Sequence, residues 1–134
     1  MAAILIVDDD PMIRTIATEF LREGDHAIVE AGDGLEAMHV LKAVPFDLMV
    51  LDMLMPEMDG LETIMEARQV QPSLRILAIS SGGSMDARHL LEVARTLGAH
   101  AVLTKPLTAV VFRSVVEDLL GGESARPAQV RTSI

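Results

Sequence analysis

The sequence predicts an α/β domain in three layers, a five-stranded parallel sheet with helices packed on both faces. Three observations predict it. Five short apolar runs recur at near-even spacing along the 134 residues. The stretches between them carry helical periodicity. The runs themselves are apolar at consecutive positions, as strands covered on both faces must be.

The first strand is read at "AILIV" (3–7), rich in β-branched residues and followed at once by three aspartates. A helix follows in "DPMIRTIATEFLREG", where Ile13, Ile16, Ala17, Phe20 and Leu21 keep the i, i+3, i+4, i+7, i+8 spacing of one buried face. Asp10 before Pro11 reads as an N-cap with proline at the first helical position, and Gly24 as the close of that helix. "AIVEA" (27–31) is the second strand, and Leu35, Met38 and Leu41 mark a shorter helix after Gly34. "DLMVL" (47–51) is the third strand; Leu61, Ile64 and Met65 give the helix after Gly60 its apolar face. "RILAI" (75–79) precedes a helix carried by Ala87, Leu90, Leu91 and Ala94 and ended by Gly98. "AVL" (101–103) leads to a last helix, capped by Thr108, with Phe112, Val115, Val116 and Leu119 on one face. Val110 and Val111 add apolar surface there, either for a partner or as a wide core-facing stripe. The domain spans 1–120, and 121–134, which has no periodicity, reads as a flexible tail.

Composition removes several function classes. No apolar stretch approaches the roughly 18 residues of a membrane span, and the N-terminal run lacks the basic flank and cleavage site of a signal peptide. With no cysteine there is no disulfide, thiolate metal site or cysteine nucleophile, which fits the cytoplasm. The net charge of −9 and the presence of only three aromatics, all Phe, argue against a nucleic-acid surface.

In open parallel sheets, ligands bind beyond the carboxyl ends of the strands. Asp8 and Asp9 follow the first strand, Asp52 the third, Ser80 and Ser81 the fourth, and Lys105 with Pro106 the fifth. Each alone has an ordinary explanation as a turn, cap or solvated charge; Asp10 is best read as a cap only. Yet the chain holds just two lysines, Lys42 and Lys105, against nine arginines, and one of the two falls at a strand end. Their joint placement is what points to a site. Two or three neighbouring carboxylates need a counterion, and hard oxygen donors with no His or Cys beside them suit Mg²⁺ rather than zinc. His26, His39, His89 and His100 fall away from the strand ends, where packing or surface roles are ordinary. A phosphoryl group there would meet a cation, an ammonium and a hydroxyl, the parts that stabilise phosphoryl transfer. Asp52, at the end of the central strand, is the best nucleophile.

The segments "ILIVDDDP", "DLMVLDMLMPEMDGLE", "ILAISS" and "GAHAVLTKPL" stand in an order and spacing that resemble the receiver domain of two-component response regulators, over residues 2–120. The resemblance implies a flavodoxin-like (βα)5 fold with strand order 2-1-3-4-5. It implies that Asp52 accepts a phosphoryl group from a histidine kinase or histidine phosphotransferase. Asp9 would ligate Mg²⁺ (Mn²⁺ as an alternative) directly, Asp8 largely through water, and the Leu54 backbone carbonyl would complete the protein's share. Lys105 would bridge to phosphoryl oxygens, and Lys105–Pro106 matches the family's cis peptide. Ser80 matches the switch hydroxyl, Ser81 the small residue beside it, and Met53 the wall of the phosphate pocket. Pro56 and Gly60 would shape the entry to the third helix.

Two positions depart from the pattern. Val102 stands where many members carry a switch Tyr or Phe, so output would run through Ser80 and the fourth helix alone or through other packing. Leu54 puts an apolar side chain where many members have a polar one, which bears on phosphoryl lifetime. The expectation is a stand-alone phosphorylation switch whose output partner docks on the fourth helix, fifth strand and fifth helix, with no nucleic acid or membrane involved. The alternatives are a phosphate sink or phosphorylation-independent binding module, and a haloacid-dehalogenase-like phosphatase. The last would need a second acid at position 54, which is Leu.

Overall fold

Strand and helix alternate along the described residues. The computed structural model describes residues 2–53, 60–81, 85–121 and 129–130. The order is β1 (Ala3–Val7), α1 (Pro11–Phe20), β2 (Ala27–Ala31), α2 (Gly34–Ala43), β3 (Leu48–Asp52), α3 (Gly60–Val70), β4 (Arg75–Ser81), α4 (Met85–Leu97), β5 (Ala101–Lys105) and α5 (Ala109–Gly121), followed by the two-residue β6 (Gln129–Val130). All pairings are parallel, and the strands lie in the order β2-β1-β3-β4-β5-β6. The first five therefore keep the expected order, with β3 in the interior between β1 and β4.

Alternation within each strand builds two cores. Leu5, Met49, Ile76 and Val102 face one layer with Ala37 and Leu41 of α2, Ile64 and Ala67 of α3, and Ala94 of α4. Their neighbours Ile4, Val50, Leu77 and Leu103 face the other with Ala17 of α1 and Phe112, Val115 and Val116 of α5. Period-2 strands between period-3.6 helices produce that split, and burying each Leu or Ile side chain contributes roughly 1.5–3 kcal/mol. Phe20 and Phe112 pack α1 on α5 with ring centroids 6.2 Å apart. Val111 packs against the second core, whereas Val110 is 78% exposed and belongs to no core stripe. Among the described residues no helix is long and apolar enough to cross a membrane.

Several boundaries differ from the sequence reading. Helix α1 ends at Phe20, and Arg22–Gly24 form a 3₁₀ turn. The left-handed residue is Asp25 (φ 56°), not Gly24. Gly24 instead serves close packing, since a Cβ there would lie 2.4 Å from Nε2 of His26. Strand β3 is shifted by one residue and includes Asp52, while β4 and β5 extend to Ser81 and Lys105. Within the stretch read as a tail, Gln129–Val130 align with Ala101–Val102, because an open strand edge offers backbone groups to any nearby chain.

The end of the sheet opposite the strand-end acids is closed by polar side chains. Arg68 donates from Nη1 to the carbonyls of Pro72 and Leu74 and from Nη2 to that of Gly98. Gly98 holds φ +121°, and a Cβ would press on the guanidinium. His100 donates its backbone N–H to Ile76 O (2.7 Å) and accepts the Ile76 N–H at Nδ1 (3.1 Å). An acceptor Nδ1 requires neutral imidazole. Burial lowers the His100 pKa, and the nearby Arg68 and Arg75 cations lower it further. The unfolded chain takes this proton near pH 6.5 while the folded one resists it. The contribution is therefore complete above about pH 6.5 and is lost as pH falls through the lower folded value. Urea midpoints at pH 7.5 and 5.5 are expected to drop less for His100→Gln than for wild type; equal drops would show that His100 carries no part of the acid sensitivity.

Candidate functional site

Four strands deliver the predicted residues to one sheet edge. Asp8 is the first residue past β1, Asp52 the last of β3, Ser80 the penultimate of β4, and Lys105 the last of β5. Register places Ser80 opposite Thr104 and Ser81 opposite Lys105. The Lys105 Nζ lies 3.0 Å from Asp8 Oδ2 and 3.7 Å from Asp52 Oδ1. One carboxylate oxygen from each of Asp8, Asp9 and Asp52 lies within 4.8 Å of the others. Asp8 and Asp52 are buried and Asp9 is exposed.

Local structure explains how a buried carboxylate such as Asp8 is held. Its N–H donates to Ala31 O (3.1 Å), its Oδ1 accepts from the Asp10 N–H (2.9 Å), and its carbonyl accepts from Arg14 Nη1 (2.6 Å). Asp10 caps α1 by accepting the Met12 N–H at 2.9 Å, worth about 1 kcal/mol. The third aspartate thus belongs to the scaffold, although its N–H steadies the first.

Lys105 is the fixed cation of this cluster. Burial alone would push its pKa down, but the hydrogen bond to Asp8 and the charges of Asp52, Asp8 and Asp9 outweigh that, and the net direction is upward. The ammonium and three carboxylates together still carry a net charge of minus two. Donors that are all oxygen, in an acidic cluster open through exposed Asp9, fit a hard divalent cation such as Mg²⁺. A second feature fits the phosphoryl group itself. Ser80 is fully buried, and its hydroxyl has no hydrogen-bond partner among the described residues. An unmet buried donor costs roughly 1–3 kcal/mol, a demand that an incoming acceptor oxygen would satisfy.

The remaining predicted residues divide plainly. Lys105–Pro106 is a cis peptide, and Pro106 is exposed. Val102 is buried opposite Ala78, in the core beneath α4. Ser81 is placed by its backbone as the end of β4. Leu54 and Pro56 lie outside the described residues. Met53 is fully buried, donates its N–H to Ile79 O (2.9 Å) and accepts the Gly60 N–H (3.2 Å).

That last contact sets the spacing of α3 from Asp52. A Cβ at Gly60 would lie 2.6 Å from Met53 Cα and 2.8 Å from its Sδ, and the backbone atom cannot yield without moving the residue next to Asp52. Gly60→Ala is expected to cost about 1–3 kcal/mol as overpacking, read as a lower urea midpoint in metal-free buffer. An unchanged midpoint would mean that α3 can slide away freely.

Sequence reading missed Arg14, whose guanidinium reaches both Asp8 O and Glu30 Oε1 (3.0 Å). The helical spacing places it one turn after the cap, but nothing in the sequence says which strand it meets. It also passed over Asp33, which accepts the Glu36 N–H (2.8 Å) while Glu36 accepts the Gly32 N–H (3.0 Å). The "DGLE" pattern of a capping box would have revealed that pair.

Comparison with known proteins bears on the family and the fold. The family described as response regulator receiver domain matches residues 4–117. The chemotaxis protein CheY of Listeria monocytogenes is 34% identical over 110 residues, covering 81% of this chain and 90% of that one. The transcriptional regulatory protein GlrR of Escherichia coli is 33% identical over 129 residues, covering 95% of this chain but 28% of GlrR. The chain spans half or less of the length of several transcriptional regulators that it matches. Among solved structures, Vibrio cholerae CheY4 superposes with a TM-score of 0.79 at 26% identity, covering 90% of this chain and 99% of that one.

Proposed function

The chain belongs to the response regulator receiver domain family of two-component signalling, and on that premise we propose that it is a phosphorylation switch whose acceptor is Asp52. The observation that carries this reading is Lys105 Nζ set between Asp8 and Asp52, with Asp9 completing three carboxylates at one sheet edge. An Asp52 carboxylate oxygen forms a bond to phosphorus as the P–N bond of a phosphohistidine breaks, the electron pair leaving with the imidazole. Asp8, Asp9 and Asp52, with the Leu54 carbonyl, would hold Mg²⁺, which when bound supplies charge neutralisation at the phosphoryl oxygens. Lys105 donates to the same group, and the Ser80 hydroxyl, buried without a partner among the described residues, gains an acceptor. A histidine kinase or histidine phosphotransferase is the donor, in the cytoplasm. The output partner binds on α4, β5 and α5, where Val110 adds exposed apolar surface.

A second reading is favoured by one observation. Val102 is buried against Ala78 and has no aromatic ring to carry a rotation outward, which suits a phosphate sink or a binding module indifferent to phosphorylation. Incubation with Mg²⁺ and acetyl phosphate tests both. A Mg²⁺-dependent, alkali-labile mass gain is expected, together with altered affinity for the output partner. A gain without altered affinity supports the sink, no gain overturns the acceptor reading, and steady hydrolysis of phosphomonoesters points to a phosphatase.

A further inference from the structure

Asp8 is fixed at every polar atom, and three of the four contacts come from its immediate surroundings in the sheet, loop and site. Its N–H is tied to Ala31, its Oδ1 to the Asp10 N–H and its Oδ2 to Lys105. The fourth, at the carbonyl, comes from Arg14 Nη1 at 2.6 Å. This carbonyl belongs to the peptide that joins Asp8 to Asp9, so its direction sets the plane from which the exposed Asp9 departs. We propose that Arg14 is a positioning residue for the cation site: it pins the Asp8–Asp9 peptide and so presents the Asp9 carboxylate. The proposal rests on the receiver reading only in taking Asp8, Asp9 and Asp52 as the ligands.

Charge explains why Arg14 is paired. A bare guanidinium this close would oppose the binding of a second cation. Arg14 Nε meets Glu30 Oε1 at 3.0 Å, which neutralises the guanidinium while Nη1 keeps its hydrogen bond. Arg14 is mostly buried and Glu30 half exposed, so the clamp is drier at the end that touches Asp8. Lysine cannot replace it, because one ammonium cannot supply two separated N–H groups at fixed spacing. Second contacts of this kind commonly alter metal affinity by roughly 10- to 100-fold.

Titration calorimetry with Mg²⁺ alone, paired with urea unfolding of the metal-free protein, tests the proposal. Arg14→Gln and Arg14→Lys are each expected to weaken Mg²⁺ binding by about tenfold, the lysine variant giving no rescue although its charge is kept. Glu30→Gln is expected to weaken it less, since the hydrogen bond survives and only neutralisation is lost. A lower urea midpoint with unchanged Mg²⁺ affinity would assign Arg14 to the scaffold and overturn the proposal. Tighter binding in Arg14→Gln would overturn it too, by showing that repulsion dominates. If Arg14→Gln does not fold, Arg14→Lys and Glu30→Gln decide the matter. Acetyl phosphate labelling of wild type separates the two readings: labelling with unaltered Mg²⁺ affinity in the variants defeats this proposal alone, and weakened affinity without labelling defeats only the acceptor reading. Wild type that binds no Mg²⁺ defeats this proposal and leaves the cation site without support.

Discussion

Asp52→Asn is expected to abolish phosphoryl incorporation from acetyl phosphate, a loss on the order of 10⁴-fold or more, the scale on which removal of a nucleophile acts. The side chain keeps its shape and loses only the anion that, on the proposed reading, attacks phosphorus. Asp52 ends the interior strand β3, is buried, and lies 3.7 Å from Lys105. The fold should survive. The substitution removes one of three clustered carboxylates, which relieves repulsion while giving up part of the attraction to Lys105. Metal-free thermal stability is expected to hold or rise, and Mg²⁺ should raise it less than in wild type. Intact mass after incubation, with and without alkali, is the readout. Labelling that persists in Asp52→Asn would move the acceptor to another residue, Asp8 or Asp9 being the nearest.

The parts of the site legible in the sequence were those governed by strand ends. Parallel strands start in near register, so an acid or lysine just after each apolar run must reach the same edge. Asp8, Asp52 and Lys105 could be placed together on that ground, from 97 positions apart. What could not be read was fixed by contacts across elements. Arg14 sits on the flank of α1, and only the folded neighbourhood of β1 and β2 shows that it meets Asp8 and Glu30. His100, just before a strand, carries only an ordinary surface or packing role in the sequence, and it is the β4–β5 pairing that puts Ile76 beside it. Gly24 invited reading as a helix stop, and its real constraint is the His26 ring, which local spacing does not encode.

Val102 illustrates how a departure from a family pattern changes physical expectation. A ring at that position could alternate between two rotamers, and a valine on a strand has one preferred χ1 and little reach. Buried opposite Ala78, it offers no second packing arrangement of its own. On the receiver reading, conformational output would begin at Ser80, whose hydroxyl has no partner among the described residues and which alternation places on the same side of the sheet as Ala78 and Val102, or would use other packing. The energetic lever is the roughly 1–3 kcal/mol of an unmet buried donor, which is enough to shift a two-state equilibrium about tenfold.

Lys105→Met is expected to produce the largest loss of stability among single changes to the charged residues of the site, together with a gain in dependence on Mg²⁺. Methionine matches the length of the stem and removes the ammonium 3.0 Å from Asp8 and 3.7 Å from Asp52. Both carboxylates are buried, so each loses its nearest fixed cation and repels the other more strongly. Breaking a fully buried pair costs roughly 3–5 kcal/mol; since Lys105 keeps a fifth of its side chain exposed, about 2 kcal/mol is the expected loss at pH 7.5 without metal. The upward shift of the Lys105 pKa has a definite pH signature. Its contribution is complete below the unfolded lysine value near 10.4 and disappears as pH rises through the higher folded value, so wild type should lose stability on that alkaline limb and the variant should not. Mg²⁺ should recover more stability in the variant than in wild type, because a divalent cation takes over neutralisation that the ammonium supplied. On the receiver reading, phosphoryl incorporation should nevertheless stay depressed, since the cation would not replace the donor that Lys105 would direct at the transferred group. Urea midpoints with and without Mg²⁺ measure the first effect and intact mass the second. A variant as stable as wild type in metal-free buffer would show that the Lys105 ammonium is not what stabilises Asp8 and Asp52 in the resting site.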